Sequence, residues 1–169
     1  MKFTNSLIKG KLLKRYKRFF ADIKVNNKII TAHCPNTGSM QGLLDQGNEV
    51  LVTEHNDPKR KLKFTLEIIK AKKRYVGVNT HRANKIVNHG LENKLISEFK
   101  TIKNIKPEFK FSDDTRFDFL CDSNLIEVKN VTLFRENDVA EFPDAVTSRG
   151  TKHLNMLIKS IKMGYKPYV

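Results

Sequence analysis

The sequence is poor in the residues that build disulfide frameworks, metal clusters and membrane spans. Of its 169 residues only two are cysteines, and tryptophan is absent. Cys34 and Cys121 lie far apart and without the close spacing of metal ligands, so we expect two free thiols in a reducing compartment rather than a disulfide. No apolar run approaches the roughly 20 residues of a membrane-spanning helix. The N-terminus also lacks the apolar stretch and cleavage site of a signal peptide, which favours a cytoplasmic protein.

Acidic residues are scarce in the first half of the chain. Residues 1–80 contain 17 basic and 6 acidic residues, a net charge of +11, whereas residues 81–169 contain 15 basic and 12 acidic residues, a net charge of +3. An AT-rich genome would also enrich lysine, but it would not place the excess in one half. The asymmetry predicts a module that binds a polyanion, nucleic acid above all, joined to a more neutral module. No basic amphipathic helix stands out, which disfavours a membrane surface. No helix-turn-helix or zinc-finger pattern is visible, so we expect no sequence-specific recognition.

The first half of the chain has the pattern of a small β-barrel. Segments rich in β-branched and aromatic residues alternate with turn signals such as Asn26–Asn27 and Asn56–Pro58, and turns recur every ~8–12 residues. The predicted strands are 18–25, 28–34, 48–55, 61–73 and 74–79. Some five strands in a short, strongly basic segment predict an OB-like barrel over residues 1–80, a fold that binds nucleic acids.

Two basic clusters in this module are candidate phosphate contacts. They lie in the segments KLLKRYKRFF and PKRKLKF, and their members are Lys14, Arg15, Lys17, Arg18, Lys59, Arg60 and Lys61. Each phosphate that such a side chain neutralises releases about one counterion, so binding should weaken steeply with salt. Aromatic residues among these charges either stack on bases or belong to the barrel core. They are Tyr16, Phe19, Phe64 and Tyr75.

A change of hydrophobic period near residue 80 marks the start of a second module. Residues 80–99 place apolar side chains at helical spacing, although Gly90 interrupts them. Strands are predicted at 105–111, 116–120 and 125–131, a helix at 144–164, and a last strand from residue 165. Asp144 follows Pro143 and is read as the start of that helix. The order predicts an α/β domain over residues 81–169, which we expect to be incomplete at its C-terminus.

Two carboxylates and a lysine lie within the predicted strands of the second module. Asp118 alternates with two phenylalanines, and Glu127 and Lys129 share one face of the next strand. A hairpin that turns at 122–123 would put Asp118 opposite Glu127, and facing carboxylates repel. Mg²⁺ commonly takes one or two carboxylates and several waters. The cluster therefore predicts catalysis, with Asp118 and Glu127 as metal ligands and Lys129 acting on water or on a phosphate. The alternative is a solvated face with an incidental ion pair.

A cationic face begins the last predicted helix. Arg149, Lys152 and His153 are spaced three and four residues apart, so they share one face. This face lies near the helix N-terminus, where a phosphate is favoured. The alternatives are an ordinary solvated face and, for His153, a half-buried structural histidine.

Several distinctive segments resemble the sugar fermentation stimulation protein A family. They include AHCPNTGSM, DPKRKLKF, RFDFL, IEVKNVTL and FPDAVTSRGTKHL, and the resemblance covers essentially the whole chain. It implies an N-terminal OB-fold, a C-terminal domain of the PD-(D/E)xK nuclease-like fold, and largely non-specific DNA binding by a regulator linked to sugar (maltose) metabolism. The nuclease-like positions are then Asp118, Glu127 and Lys129. The family's other polar motif contains Arg149, Lys152 and His153.

Two departures from the family pattern bear on activity. The first helix of the family usually carries a glutamate followed by a small residue and leucine, whereas these positions are His89, Gly90 and Leu91 here. Family members also continue past the last predicted strand, so we expect a truncated member. We therefore predict a nucleoid-associated DNA-binding protein. The alternatives are a Mg²⁺-dependent nuclease that hydrolyses DNA phosphodiester bonds and, less favoured, an RNA-binding barrel.

Overall fold

The chain folds into two units that divide after His81. The computed structural model describes residues 1–133, 139–143 and 147–169. The first unit comprises Met1–His81 and Asn130–Ala145, and the second comprises Arg82–Lys129 and Val146–Val169.

A return segment after residue 129 belongs to the first unit, although the domain boundary predicted from the sequence places it in the second module. Its described residues are tied to the barrel by side-chain hydrogen bonds. The Asn130 amide donates to the carbonyl of Gly77 at 3.3 Å, and the Asn36 amide donates to the hydroxyl of Thr132 at 3.4 Å. Bonds of this kind leave no hydrophobic period in the sequence, which explains why the return was not predicted.

The first unit is the predicted OB-like barrel. Its strands are β1 (Leu7–Tyr16), β2 (Phe20–Val25), β3 (Lys28–His33), β4 (Glu49–Glu54), β5 (Phe64–Ala71) and β6 (Arg74–Gly77). They pair in the order β3-β2-β1-β4-β5-β6. A parallel pairing between the end of β3 and the start of β5 closes the first five strands into a barrel, and β6 extends the sheet from β5.

Strand β1 was not predicted from the sequence. Lysines at positions 9, 11 and 14 make the segment look like a basic cluster rather than a strand. Gly10 lies buried at its centre, where a Cβ atom would come within 2.5 Å of the Ile23 side chain and 3.0 Å of the Lys24 carbonyl. Only glycine allows β1 and β2 to approach this closely.

The barrel core is formed by inward-facing aliphatic side chains of all five barrel strands. Its fully buried members include Leu12, Ile23, Ala32, Val50, Val52, Leu66 and Ile69. Burial of an aliphatic side chain of valine size or larger contributes about 1.5–3 kcal/mol. A core of this size fixes the loops at the ends of the barrel.

The second unit is a small α/β domain. Its elements are α1 (Ala83–Glu92), β7 (Ile105–Ser112), β8 (Thr115–Cys121), β9 (Asn124–Ile126), α2 (Ser148–Ile161) and β10 (Lys166–Tyr168), with short 3₁₀ turns at Thr80–Arg82 and Ser97–Phe99. The sheet order is β10-β9-β8-β7. Strands β7, β8 and β9 are antiparallel, and β10 runs parallel to β9.

Both helices are shorter than predicted. The hydroxyl of Thr147 caps α2 and accepts the N–H of Gly150 at 3.0 Å, as N-cap residues do. The predicted start of this helix, Asp144, lies outside the described residues. At its other end the helix stops at Ile161, ahead of Gly164. Of the helices in the described part of the chain, none is long and apolar enough to cross a membrane.

The two helices pack on opposite faces of the second sheet. Phe119 pairs with Ile126, and both join Leu91 of α1 in one core cluster. The next pair, Leu120 with Leu125, joins Leu157 of α2 in another. Because neighbouring pairs point to opposite faces, the sheet lies between a helix on each side. Both cysteines are free, as predicted, and both are buried.

Candidate functional site

The β1–β2 turn presents two cations in an unfavourable backbone conformation. Lys17 and Arg18 have φ values of 47° and 62°, in the left-handed region that is usually occupied by glycine, asparagine or aspartate. In the β2–β3 turn the residue in this region is Asn26, with φ of 52°, which fits the preference. Lys17 and Arg18 are both exposed. Backbone strain of this kind is found preferentially at functional sites.

The side chain of Arg15 is hydrogen-bonded to the backbone of this turn. Its Nε donates to the carbonyl of Arg18 at 3.2 Å, and its Nη2 donates to the carbonyl of Asn36 at 2.7 Å. These bonds join the turn to the segment that follows β3. Since its donors are directed at backbone carbonyls, we expect Arg15 to position the turn rather than to contact phosphate itself.

The β4–β5 loop carries the second basic cluster. Asp57 shapes this loop by accepting the N–H of Lys59 at 2.9 Å through its side chain and the N–H of Arg60 at 3.1 Å through its carbonyl. Arg60 folds back and donates to the hydroxyl of Thr65 at 2.8 Å. Lys59 and Lys61 are exposed. In this loop the lysines are therefore available to a ligand, and the arginine braces the loop.

The two loops meet at the end of β3. His33 pairs with the first residue of β2, beside the first turn, and with Thr65 at the start of β5, beside the second loop. The ring of Phe19 stacks on the ring of His33, with centroids 6.4 Å apart and an interplanar angle of 19°. Burial, and then the nearby charges of Arg60 and His81, lower the pKa of His33. Positive charge thus gathers at this end of the barrel.

Lys14, the remaining predicted contact in the barrel, lies further along β1. Its ammonium is 3.6 Å from the Asp22 carboxylate and 5.2 Å from the centre of the Tyr16 ring. Tyr16 stacks on Phe20 at 5.5 Å. Lys14 is exposed, so its pair with Asp22 is worth little in free energy and does not prevent a contact with phosphate.

The segment AHCPNTGSM has a structural role in this unit. The carbonyl of Pro35 accepts the Thr80 hydroxyl at 2.6 Å, and the side-chain oxygen of Asn36 accepts the N–H of Gly38 at 2.8 Å. Burial raises the pKa of the Cys34 thiol, although Arg15 acts against it. The segment therefore holds the end of β3 in place and offers no reactive thiol.

In the second unit hydrogen bonds hold each acid of the predicted cluster in its own set of polar side chains. Asp118 comes from β8, Glu127 and Lys129 follow β9, His153 comes from α2, and Asn84 comes from α1. Hydrogen bonds link Asn84 to Asp118, and link both Lys129 and His153 to Glu127. We call these five residues the acid–lysine site.

Asp118 is held by neutral donors and ends the neighbouring strand. Its Oδ1 accepts the Asn84 amide at 2.6 Å, and its Oδ2 accepts the backbone N–H of Val128 at 2.6 Å. Strand β9 therefore stops at Ile126, and the predicted strand 125–131 was too long. The three observed pairs have the predicted register, but they end at Phe119 with Ile126, so no strand pair joins Asp118 to Glu127.

Glu127 is buried and held by the side chains of a lysine and a histidine. It is 5% exposed, and its Oε1 accepts from the ammonium of Lys129 and from Nδ1 of His153 at 2.9 Å. Its backbone N–H donates to the carbonyl of Tyr168 in β10 at 3.0 Å. The predicted face-sharing of Glu127 and Lys129 is thus realised as a direct contact, although both residues lie beyond the end of the strand.

A cavity of about 540 Å³ lies between the β7–β8 turn and the first turns of α2. Its lining includes all three residues of the predicted cationic face, Arg149, Lys152 and His153. Lys152 is bonded to Asp114 at 2.6 Å, and this contact lowers the pKa of that carboxyl to about 2. His153 connects the cavity to Glu127.

The acid–lysine site fits Mg²⁺ in donor type but is a sparse set of ligands. Asp118 and Glu127 supply the oxygen ligands that Mg²⁺ prefers, and one or two carboxylates completed by water are common for this ion. Within residues 1–133, 139–143 and 147–169, no group of three or more histidines, cysteines or acids is arranged to hold a metal. The α1 residue that reaches Asp118 is an amide, Asn84, rather than an acid.

Both halves of the chain match models of one family. Residues 13–78 match the SfsA N-terminal OB domain, and residues 81–169 match the sugar fermentation stimulation protein RE domain. The chain belongs to the sugar fermentation stimulation protein family. The resemblance inferred from the sequence motifs is thereby confirmed.

Relatives and a solved structure agree with this assignment. The chain is 64% identical to a sugar fermentation stimulation protein homolog of Pelagibacter ubique, and the match covers 100% of this chain and 75% of that protein. It is 44% identical to the homolog of Alteromonas mediterranea, over 98% of this chain and 74% of that protein. The structure of Pyrococcus furiosus SfsA in complex with Ca²⁺ has the same fold, with a TM-score of 0.84, 23% identity, and coverage of 99% of this chain and 72% of that one.

Proposed function

We propose that this protein binds DNA through the phosphate backbone, without sequence preference, at the His33 end of its barrel. The observation that carries the proposal is the convergence of the β1–β2 turn and the β4–β5 loop on the end of β3. These are the loops with which OB-folds bind oligonucleotides. Here they expose Lys17, Arg18, Lys59 and Lys61.

The charge of the first half supports the same proposal. A net charge of +11 over residues 1–80 attracts a polyanion from any direction. The two loops then provide a defined surface where the polyanion can bind. Each phosphate neutralised lowers the slope of log K against log salt by about 0.9 for duplex DNA. Four exposed cations therefore predict a slope of roughly −3 to −4.

The test is fluorescence anisotropy with a labelled duplex over a series of salt concentrations. Replacing Lys59 and Lys61 by glutamine should weaken binding for unrelated sequences alike and flatten the salt slope by about 2. The matched control replaces Lys28 and Lys73, two exposed lysines at the ends of β3 and β5 that lie away from His33 and Thr65. Equal losses from both double variants would contradict a localised interface.

The family name supports a role linked to sugar metabolism. Relatives are named sugar fermentation stimulation protein homologs, and a non-specific DNA-binding protein fits a regulator that acts over extended DNA. Such a protein would associate with the nucleoid in the cytoplasm. RNA presents the same phosphates, so the anisotropy assay includes an RNA duplex of equal length.

A nuclease is the second candidate function, and the acid–lysine site next to the cationic cavity favours it. Asp118 and Glu127 would hold Mg²⁺, and the Pyrococcus furiosus protein of this fold was solved with Ca²⁺. Bound Mg²⁺ would polarise the scissile phosphate. Lys129 would stabilise the developing negative charge, and Arg149 and Lys152 would orient the phosphodiester. The sparse ligand set makes this the weaker candidate.

Incubation of single- and double-stranded DNA with the protein, in Mg²⁺ or EDTA, separates the two functions. Cleavage that needs Mg²⁺ and disappears in Asp118→Ala, with binding retained, would establish the enzyme. Asp45→Ala, an exposed acid on the barrel, is the matched control. Salt-sensitive binding without cleavage in either condition would leave the acid–lysine site with a structural role.

A further inference from the structure

An exposed phenylalanine lies beside the cations of the β1–β2 turn. Phe19 follows Lys17 and Arg18, and 44% of its surface is exposed. Its backbone is fixed on both sides: the N–H donates to the carbonyl of Lys17 at 2.8 Å, and the carbonyl accepts the N–H of Cys34 at 2.8 Å. The ring is therefore displayed on rigid backbone.

One side of this ring is already stacked. The His33 ring lies nearly parallel to it, at 6.4 Å between centroids, within the usual range for stacked rings. Burial, Arg60 and His81 lower the pKa of His33, which favours the neutral imidazole, and the ring packs as an aromatic ring. This contact fixes the orientation of Phe19 and leaves the rest of the ring towards solvent.

We propose that Phe19 is a stacking platform for an unpaired nucleobase, so that the preferred ligand of this end of the barrel is a single strand. The proposal rests on the proposed nucleic-acid binding and adds the form of the ligand. Single strands bind where a cationic surface follows the backbone and an aromatic ring stacks on a base. In a duplex the faces of the bases are covered by their neighbours, so an exposed ring finds no partner there. The group that would stack on Phe19 is an unpaired base, and single-stranded DNA and single-stranded RNA both contain one.

A second exposed aromatic residue offers a control on the same barrel. Tyr75 is 55% exposed, but it lies in β6 near the opposite end of β5. Its hydroxyl donates to Glu49 at 3.0 Å, and the ammonium of Lys70 lies 5.1 Å from its ring. Tyr75 is thus engaged within the protein and stands away from the two loops.

The decisive experiment compares three labelled ligands of equal length: oligo(dT), a DNA duplex, and an oligomer in which every nucleotide is abasic. The abasic oligomer keeps the phosphates and lacks the bases. Phe19→Ala should weaken oligo(dT) binding between roughly 5- and 150-fold, the usual effect of losing one stacked base. Binding of the abasic oligomer and of the duplex should be unchanged. Tyr75→Ala should change none of the three, and Phe19→Tyr should restore oligo(dT) binding.

A fluorescence signal tests the contact directly. The chain has no tryptophan, so Phe19→Trp introduces a single reporter at the proposed platform. Its emission should be quenched by oligo(dT) and left unchanged by the abasic oligomer. An oligo(rU) arm separates the two sources of base: quenching by both strands supports a platform that ignores the sugar, and quenching by only one supports the platform and identifies that strand as the ligand.

The failures of the two proposals are distinguishable. If the unmodified protein binds none of the three oligomers, the proposed nucleic-acid binding is wrong. If it binds all three and Phe19→Ala leaves oligo(dT) affinity unchanged, the platform is wrong and phosphate binding stands. Absence of quenching in Phe19→Trp, when the strand is bound, overturns the platform in the same way.

Discussion

Replacing the strained cations of the β1–β2 turn should make the barrel more stable and its binding of DNA weaker. Lys17→Asn combined with Arg18→Gly puts the residue pair that tight hairpin turns favour at φ values of 47° and 62°. An ordinary residue in this region costs about 1–2 kcal/mol. The glycine at position 18 offsets about 0.5–1 kcal/mol of the stability gained, because glycine loses more conformational entropy on folding than other residues do. We expect a net gain of about 1–2 kcal/mol in the free energy of unfolding of this unit.

The same variant removes two exposed charges from the proposed interface. The slope of log K against log salt for duplex DNA should therefore flatten by about 1.8. The backbone carbonyl of Arg18, which accepts the Arg15 side chain, remains in the variant. The turn should accordingly keep its position, and the loss of affinity should come from charge alone.

Two matched variants separate strain from charge. Asn26→Lys puts an ordinary residue at φ of 52° in the next turn, and it should lower the free energy of unfolding by about 1 kcal/mol. Replacing Lys28 and Lys73 by glutamine removes two charges elsewhere and should leave the salt slope unchanged. Urea unfolding and anisotropy titration measure the two effects. A turn variant that is less stable than the parent would refute the strain reasoning, and an unchanged slope would refute the phosphate contact.

Three further predictions concern individual side chains. Arg15→Met should lower the free energy of unfolding by about 1–3 kcal/mol, because the partly buried carbonyl of Asn36 loses its donor; urea unfolding of the variant measures this, and a neutral result would contradict it. Lys152→Met should raise the pKa of Asp114 from about 2 towards the ordinary value, as followed by NMR titration. Since that pKa is depressed, the contact stabilises the fold above the ordinary pKa of an aspartate, and this contribution is lost as pH falls through about 2. Burial raises the pKa of both cysteine thiols, one of them to about 11, so a thiol reagent at pH 8 should label neither in the folded protein and both after denaturation.

The fold class could be predicted because periodic burial leaves a mark in the sequence. Alternating β-branched residues between turn signals located four of the five barrel strands, and the change of period near residue 80 located the second unit. Strand β1 was missed because its outward lysines hide the alternation and Gly10 contributes no side chain. The return segment after residue 129 was missed because it is held by polar side-chain hydrogen bonds, which produce no hydrophobic periodicity in the sequence.

Four of the five residues of the acid–lysine site were singled out from the sequence, but their geometry was predicted only in part. Alternation placed Asp118 opposite Glu127; the hairpin register is correct, but its strand pairs end at Phe119 with Ile126. No pattern in the sequence indicates that Asn84 bonds to Asp118, or that the Asp118 carboxylate accepts the N–H of Val128 and ends the strand. Likewise Phe19 was recognisable as an aromatic residue among cations, but its stack on His33 depends on a strand pairing that only the folded barrel defines.

The pairing of β10 with β9 also bears on the order in which the two units can fold during synthesis. The backbone of Glu127 is held by Tyr168, a residue some forty positions later in the chain, whereas all six strands of the first sheet are complete by Gly77. During synthesis the strands of the barrel can pair while the residues that fix Glu127 are still inside the ribosome. The surface proposed to bind DNA can therefore form before the acid–lysine site does.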